Sequence, residues 1–153
     1  MKSLISLIIL SLILVSCGFK PIYNSKNSNF QIIEIKNKNE SKNSFAIENM
    51  VMSLSNKNAL RKIKLEMDYK QSIKTILKDS KGDPSKKKLS IIVNLKVKNE
   101  RDNVLTNKNY NEEFSYDVQS DKFNMSQYED NIINNLNNKI SNDIIFLLGT
   151  IEW

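Results

Sequence analysis

The sequence predicts an α+β fold: a two-layer sandwich in which one mostly antiparallel sheet of about four strands carries two helices on one face. Several segments alternate apolar and polar residues with the period of a strand, and two segments space apolar residues three and four apart, as on one helix face. Their order is strand, helix, about three strands and a long helix. One shared core then buries every apolar stripe.

The first two elements are short. Phe30–Ile35 is rich in β-branched residues and predicts a strand. Ser44–Ser55 predicts a helix that Asn43 or Ser44 caps, because its apolar residues fall on one face: Ala46, Ile47, Met50, Val51 and Leu54.

The middle of the chain predicts a pair of long strands. Ile63–Tyr69 alternates apolar with charged residues, as in a half-buried strand, and continues or bends through Ile73–Leu77. The Gly and Pro of Lys81–Ser85 indicate a turn. Leu89–Val97 is then the clearest strand, with five apolar side chains pointing one way.

A further strand completes the predicted sheet. Glu100–Asn103 is a polar turn that leads into Val104–Tyr116, the antiparallel neighbour of the preceding strand. The opposite face of this sheet is polar, and we expect it to be solvated or turned toward a polar cavity. It carries Lys64, Glu66, Asp68, Lys70, Asn94, Lys96 and Lys98.

The C-terminal region predicts a long helix. Ser126–Glu129 fits a capping box at its start, and Gly149 is placed to close it. One apolar stripe follows: Tyr128, Ile132, Ile133, Leu136, Ile140, Ile144 and Leu147. The stripe either docks on the chain's own sheet or joins a partner in a coiled coil. Its repeat at four, rather than at strict a/d heptads, favours the sheet.

The N-terminus has the pattern of a bacterial signal peptide. Lys2 gives a positive start, and the apolar run Leu4–Leu14 is shorter than the about 20 residues a bilayer span needs. The following Leu14–Cys17, Leu-Val-Ser-Cys, resembles the lipobox of bacterial lipoproteins, which implies an acylated Cys17. The alternatives are an ordinary secreted protein with a stray cysteine and a short membrane anchor.

These features divide the chain into three parts: a removed signal peptide (1–16), a lipidated N-terminus and tether (17–29), and a single periplasmic α+β domain (30–153). More than one acyl chain is needed for stable membrane attachment, and a triacylated cysteine (a palmitate-type modification) meets that need. Gly18 stands where an Asp resembles an inner-membrane retention signal. We therefore expect the lipid-anchored chain on the periplasmic side of the outer membrane.

Composition argues against an enzyme. The sequence has no His and one Cys, so the usual imidazole-based nucleophilic and metal sites cannot be built. No carboxylate pair lies in an apolar setting, and we expect no catalytic residues, metal or cofactor. The net charge of +6 suits an anionic partner such as a phosphorylated glycolipid, although a solvated lysine-rich surface explains it too. A periplasmic address argues against nucleic acid as a partner.

The segment Cys17–Tyr23, Cys-Gly-Phe-Lys-Pro-Ile-Tyr, resembles the mature N-terminus of the lipopolysaccharide-assembly lipoprotein LptE family. The resemblance implies a small sheet with two helices that plugs the outer-membrane barrel LptD, and a role in inserting lipopolysaccharide into the outer leaflet. It also implies that the chain can bind lipopolysaccharide. The alternative is an accessory lipoprotein of outer-membrane barrel-protein assembly.

The densest basic run is Lys86, Lys87 and Lys88, beside the Gly82–Pro84 turn. We expect it on a loop at one end of the sheet, where its ammonium groups would bind the phosphates of lipopolysaccharide. The alternative is an ordinary solvated loop in a lysine-rich protein.

Overall fold

The structure, a computed structural model, describes residues 28–151. The signal peptide, Cys17 and most of the predicted tether lie outside these residues. The elements are β1 (Phe30–Asn37), α1 (Lys42–Met52), β2 (Arg61–Lys78), β3 (Pro84–Asn99), β4 (Val104–Asp117) and α2 (Lys122–Thr150).

The four strands form one sheet in the order β1-β2-β3-β4. β2, β3 and β4 are antiparallel neighbours, whereas β1 lies parallel to β2 because α1 connects them as a crossover. The predicted α+β class and the mostly antiparallel sheet of four strands are confirmed. β2 is also longer than its apolar pattern, because it continues past Tyr69 to Lys78 with a bulge between Thr75 and Leu77.

The turn between β2 and β3 comprises residues 79–83 and therefore begins two residues before the predicted Lys81–Ser85. The Asp79 carboxylate accepts from the amides of Lys81 and Asp83, and Gly82 supplies the positive φ of 90°. Pro84 then opens β3, since a strand's first residue tolerates the missing N–H. Lys86, Lys87 and Lys88 consequently lie inside β3, and their predicted placement on a loop is wrong.

The helix caps differ from the predicted ones. Ser41 caps α1 in a reciprocal capping box with Ser44, its hydroxyl accepting from the Ser44 amide at 3.1 Å. α2 begins one turn before Ser126, because the Asp121 carboxylate accepts from the amides of Phe123 and Asn124 and its charge suits a helix N-terminus.

Gly149 does not end α2, which runs through Thr150. The Thr150 hydroxyl donates to the carbonyls of Phe146 and Leu147, and the Ile151 amide closes onto the Leu147 carbonyl. These hydrogen bonds satisfy carbonyls of the last helical turn, which in a glycine-capped helix are satisfied by the amides of a Schellman turn.

Both helices pack on one face of the sheet around a single core. The predicted contact set is confirmed as part of that core: Ile91, Val93, Leu95, Leu136, Ile140 and Ile144. At the ends of the α2 stripe the pattern shifts, because Leu148 is buried where Leu147 is only partly so, and Tyr128 is exposed. The apolar stripe of α2 therefore packs in the chain's own core, which favours docking on its own sheet over a coiled coil.

Candidate interaction surface

We call the helix-free side of the sheet the outer face. Register places Lys64 opposite Lys98, Glu66 opposite Lys96 and Asp68 opposite Asn94, all on this side. Side chains alternate along a strand, so their apolar neighbours, such as Leu65 and Val97, point into the core. The polar face predicted from the sequence is thereby confirmed.

Salt bridges organise the outer face. Lys64 and Lys98 face each other directly, a repulsive arrangement for like charges. Each is compensated by a carboxylate: Lys64 Nζ lies 3.0 Å from Asp102 Oδ1, and Lys98 Nζ lies 2.5 Å from Glu66 Oε1. Lys96 approaches the other Glu66 oxygen at 3.8 Å.

These contacts shift the titration of the paired groups. The hydrogen bond from Lys98 lowers the pKa of the Glu66 carboxyl and raises that of the Lys98 ammonium. Likewise, the hydrogen bond from Lys64 lowers the pKa of Asp102. Exposed pairs contribute little to stability. Their effect is to hold charges of both signs in fixed positions on a rigid sheet.

An open hollow of about 330 Å³ lies in the middle of the outer face. It is lined by Lys38, Glu66, Met67, Asp68, Asn94, Leu95, Lys96, Asn107, Lys108 and Asn109. Asn109 Nδ2 donates to Asn94 Oδ1 at 2.5 Å, and Asn39 Nδ2 donates to Asp68 at 2.6 Å. Amides, ammonium groups and carboxylates together offer hydrogen bonds to a polar partner.

The lysine run is divided between the two faces of the sheet. Lys86 and Lys88 point to the outer face, where Asp117 lies 3.5 Å and Glu113 3.0 Å away. Lys87 points to the helix side and binds Glu129 of α2 at 3.2 Å. The structure therefore brings two of the three lysines together, each beside a carboxylate.

Sequence reasoning missed a polar link inside the core. Asn137 of α2 is 2% exposed, and its amide donates to the Asn43 carbonyl of α1 at 3.3 Å. Its side-chain oxygen accepts from the Tyr69 hydroxyl of β2 at 3.4 Å. Burial raises the pKa of Tyr69 to about 12, against the effect of this hydrogen bond. Asn137 stands at a core position of the helical repeat, one residue after Leu136. That position is the sequence feature that could have indicated a buried polar side chain.

Within residues 28–151, no group of three or more acidic, His or Cys side chains is arranged to hold a metal ion. In the same part of the chain, neither helix is long and apolar enough to cross a membrane.

The sequence matches no known family profile and no curated protein at a significant level. Its fold, by contrast, is similar to solved bacterial lipoproteins. An uncharacterized lipoprotein B from Nitrosomonas europaea aligns with a TM-score of 0.63 and 9% identity, over 86% of this chain and 90% of that one. A minor lipoprotein from Acinetobacter baumannii gives 0.58 and 9%, over 84% and 92%.

Rare lipoprotein B from Shewanella oneidensis aligns with a TM-score of 0.56 and 10% identity, over 75% of this chain and 90% of that one. At such identities the likeness establishes the fold alone. The chain thus shares the two-layer fold of these bacterial lipoproteins.

Proposed function

We propose that this chain is an outer-membrane lipoprotein that acts as the plug and assembly partner of an LptD-like barrel in lipopolysaccharide insertion. The observation that carries the proposal is the outer face, a sheet surface of paired charges and amides around an open hollow. The wall of a large outer-membrane barrel is polar on its inside, and such a wall is matched by polar groups rather than by an apolar patch.

Two further observations support a lipoprotein. The lipobox-like segment Leu14–Cys17 is the proposed anchor, and residues 17–29 are the proposed tether to the rest of the domain. Three solved proteins of the same fold carry lipoprotein names. The resemblance of Cys17–Tyr23 to the LptE family supplies the specific partner.

The test is covalent capture in cells. A photo-crosslinking amino acid replaces Asn94, which is exposed on the outer face, and in a matched control it replaces Asn142, which is exposed on α2. We expect the Asn94 adduct to contain a large barrel protein, and lipopolysaccharide to copurify with it in mild detergent. Capture from Asn142 alone would move the interface to the helices. Capture of barrel-assembly machinery would support the accessory role instead, and capture of no envelope protein would contradict both.

The lysine run is proposed to bind lipopolysaccharide phosphates, and the structure refines its test. Lys86 and Lys88 share the outer face, whereas Lys87 is engaged with Glu129 on the helix side. Lys86→Gln with Lys88→Gln should weaken lipopolysaccharide binding and reduce its dependence on salt, because two point charges are lost.

Lys87→Gln is the matched control, since it removes a lysine from the same run on the opposite face. We expect it to leave lipopolysaccharide affinity unchanged. Equal affinity and equal salt dependence for both variants and the parent would identify the run as ordinary surface.

A further inference from the structure

β2 extends beyond the end of its parallel neighbour β1. β1 pairs with β2 over Arg61–Met67, whereas β2 runs to Lys78 with β3 beside it throughout. We call Tyr69–Thr75 the open edge of β2. Among residues 28–151 it has β3 on one side and no strand on the other.

The backbone of the open edge points its free groups outward in a regular row. Met67 directs its carbonyl to the β1 side, where it accepts from the Lys38 amide at 2.9 Å. Backbone groups alternate sides along an extended strand, so Tyr69, Gln71, Ile73 and Thr75 direct their N–H and C=O groups the same way. Asn39 and Asn43 reach this region, but they bond to side chains of Asp68 and Gln71.

Side chains at and beyond the open edge are unusually exposed for their type. Ile73 is 40%, Ile76 41% and Leu77 57% exposed. Ile73 lies opposite Leu89 on the helix side and Leu77 opposite Lys86 on the outer face, so apolar side chains flank this end of β2 on both faces. Apolar exposure beside unpaired backbone is typical of a site that takes up a strand. The sheet ends in two further edges, along β1 and β4. β4 also carries exposed apolar side chains, Val104 at 50% and Phe114 at 42%, but its outer face holds Asn107, Asn109, Asn111 and Glu113 rather than lysines.

The charged side chains beside the open edge indicate which kind of strand could bind there. Lys70 and Lys74 of the open edge stand on the outer face; Lys70 pairs with Asp68 at 3.5 Å, and Lys74 makes no salt bridge within the described residues. A neighbouring strand would place alternate side chains opposite these lysines and opposite Tyr69 and Ile73. Acidic residues suit the first set and apolar residues the second.

The same charges disfavour two other occupants. Two copies joined along this edge would gather Lys70 and Lys74 of both chains on one face, where like charges repel. The chain's own residues 17–29 contain Lys20 and Lys26 and no acidic residue. We therefore propose that the open edge binds an extended segment of another protein that alternates acidic and apolar side chains. This inference rests on the described backbone and does not depend on the proposed function.

Hydrogen exchange at single-residue resolution tests the proposal. The full chain, purified in mild detergent, is mixed with a short synthetic peptide that alternates glutamate and valine. At ten times the dissociation constant, exchange at the Tyr69, Gln71, Ile73 and Thr75 amides should slow by about tenfold, since about a tenth of the chain stays free. The intervening amides of Lys70, Ser72 and Lys74 bond to β3 and should not change.

Two matched comparisons make the result specific. A peptide with lysine in place of glutamate should protect the parent poorly, and a chain with Lys70→Glu and Lys74→Glu should reverse that preference. Ile73→Pro removes one outward N–H without touching the β3 ladder and should abolish protection, whereas Ile73→Val should retain it.

Three results would overturn the proposal. The first is no slowing at any of the four outward amides. The second is equal protection by the acidic and basic peptides. The third is protection of these amides before any peptide is added, which would assign the open edge to the chain itself.

Discussion

Truncating the centre of the long-helix stripe should destabilise the whole fold. Ile140 is 0% exposed and belongs to the core together with Ile91 and Val93 of β3. Ile140→Ala removes three side-chain carbons at about 0.8 kcal/mol each, and the unfilled cavity brings the loss to about 3 kcal/mol. For a domain of this size we expect the melting temperature to fall by roughly 10 °C. Leu136→Ala, at a site 8% exposed, should give a similar loss.

The assay is thermal unfolding of the full chain, followed by circular dichroism in mild detergent. Asn138→Ala is the matched control, because it changes the same helix on its exposed side. Alanine has the higher helix propensity, so this control should melt at or slightly above the parent temperature. If Ile140→Ala melted like the parent, α2 would not depend on the sheet, and its stripe would belong to a partner.

Four further changes have defined outcomes. Cys17→Ala should abolish labelling by a fatty-acid probe, and undiminished labelling would exclude Cys17 as the lipid site. Asp121→Ala should lower stability by about 1 kcal/mol, because the α2 cap loses its acceptor, and a melting curve measures this. The pKa of Glu66 lies below its usual 4.5, so its salt bridge stabilises the fold above that pH and the effect is lost as the pH falls through the lowered pKa. The melting difference between the parent and Glu66→Gln should therefore vanish in acid; a difference that persists there would contradict this cause. The pKa of Tyr69 is raised to about 12, so the fold favours the neutral phenol; that stability is complete below the ordinary value of 10 and is lost as the pH rises toward 12. Tyr69→Phe should lose less stability than the parent over that range in alkaline melting curves.

Sequence periodicity predicted the parts of the fold that a shared core imposes. β3 alternates strictly from Leu89 to Val97, and α2 repeats at three and four through Ile140, so both buried faces follow from spacing alone. Helix ends were less predictable. Asp121 precedes three residues without apolar periodicity. The local sequence therefore does not favour Asp121 over Ser126 as the N-cap of α2. The packing of Met125, which is 7% exposed, distinguishes the two starts.

Charge clusters in a sequence are unreliable for a different reason. Three consecutive lysines form a compact patch on a loop, but on a strand the middle one points to the opposite face. Extending β3 back to Pro84 therefore separates Lys87 from Lys86 and Lys88. The sequence predicts Pro84 in the turn, since proline removes a backbone donor, whereas the structure places it at the first position of β3, where the missing donor is tolerated.

The open edge of β2 could not be predicted from any local pattern, because it is a difference between two strands. β1 ends at Asn37 since Ser41 starts α1 almost at once, and the chain leaves the sheet there. The parallel register then decides how far β1 reaches, because Phe30 lies opposite Arg61 and Asn37 opposite Met67. β2 extends eleven residues beyond this pairing, from Asp68 to Lys78. An antiparallel β1 in another register would have covered a different part of β2. The open edge thus follows from topology, and the proposed preference for acidic strands rests on Lys70 and Lys74, which the alternation of β2 places on the outer face.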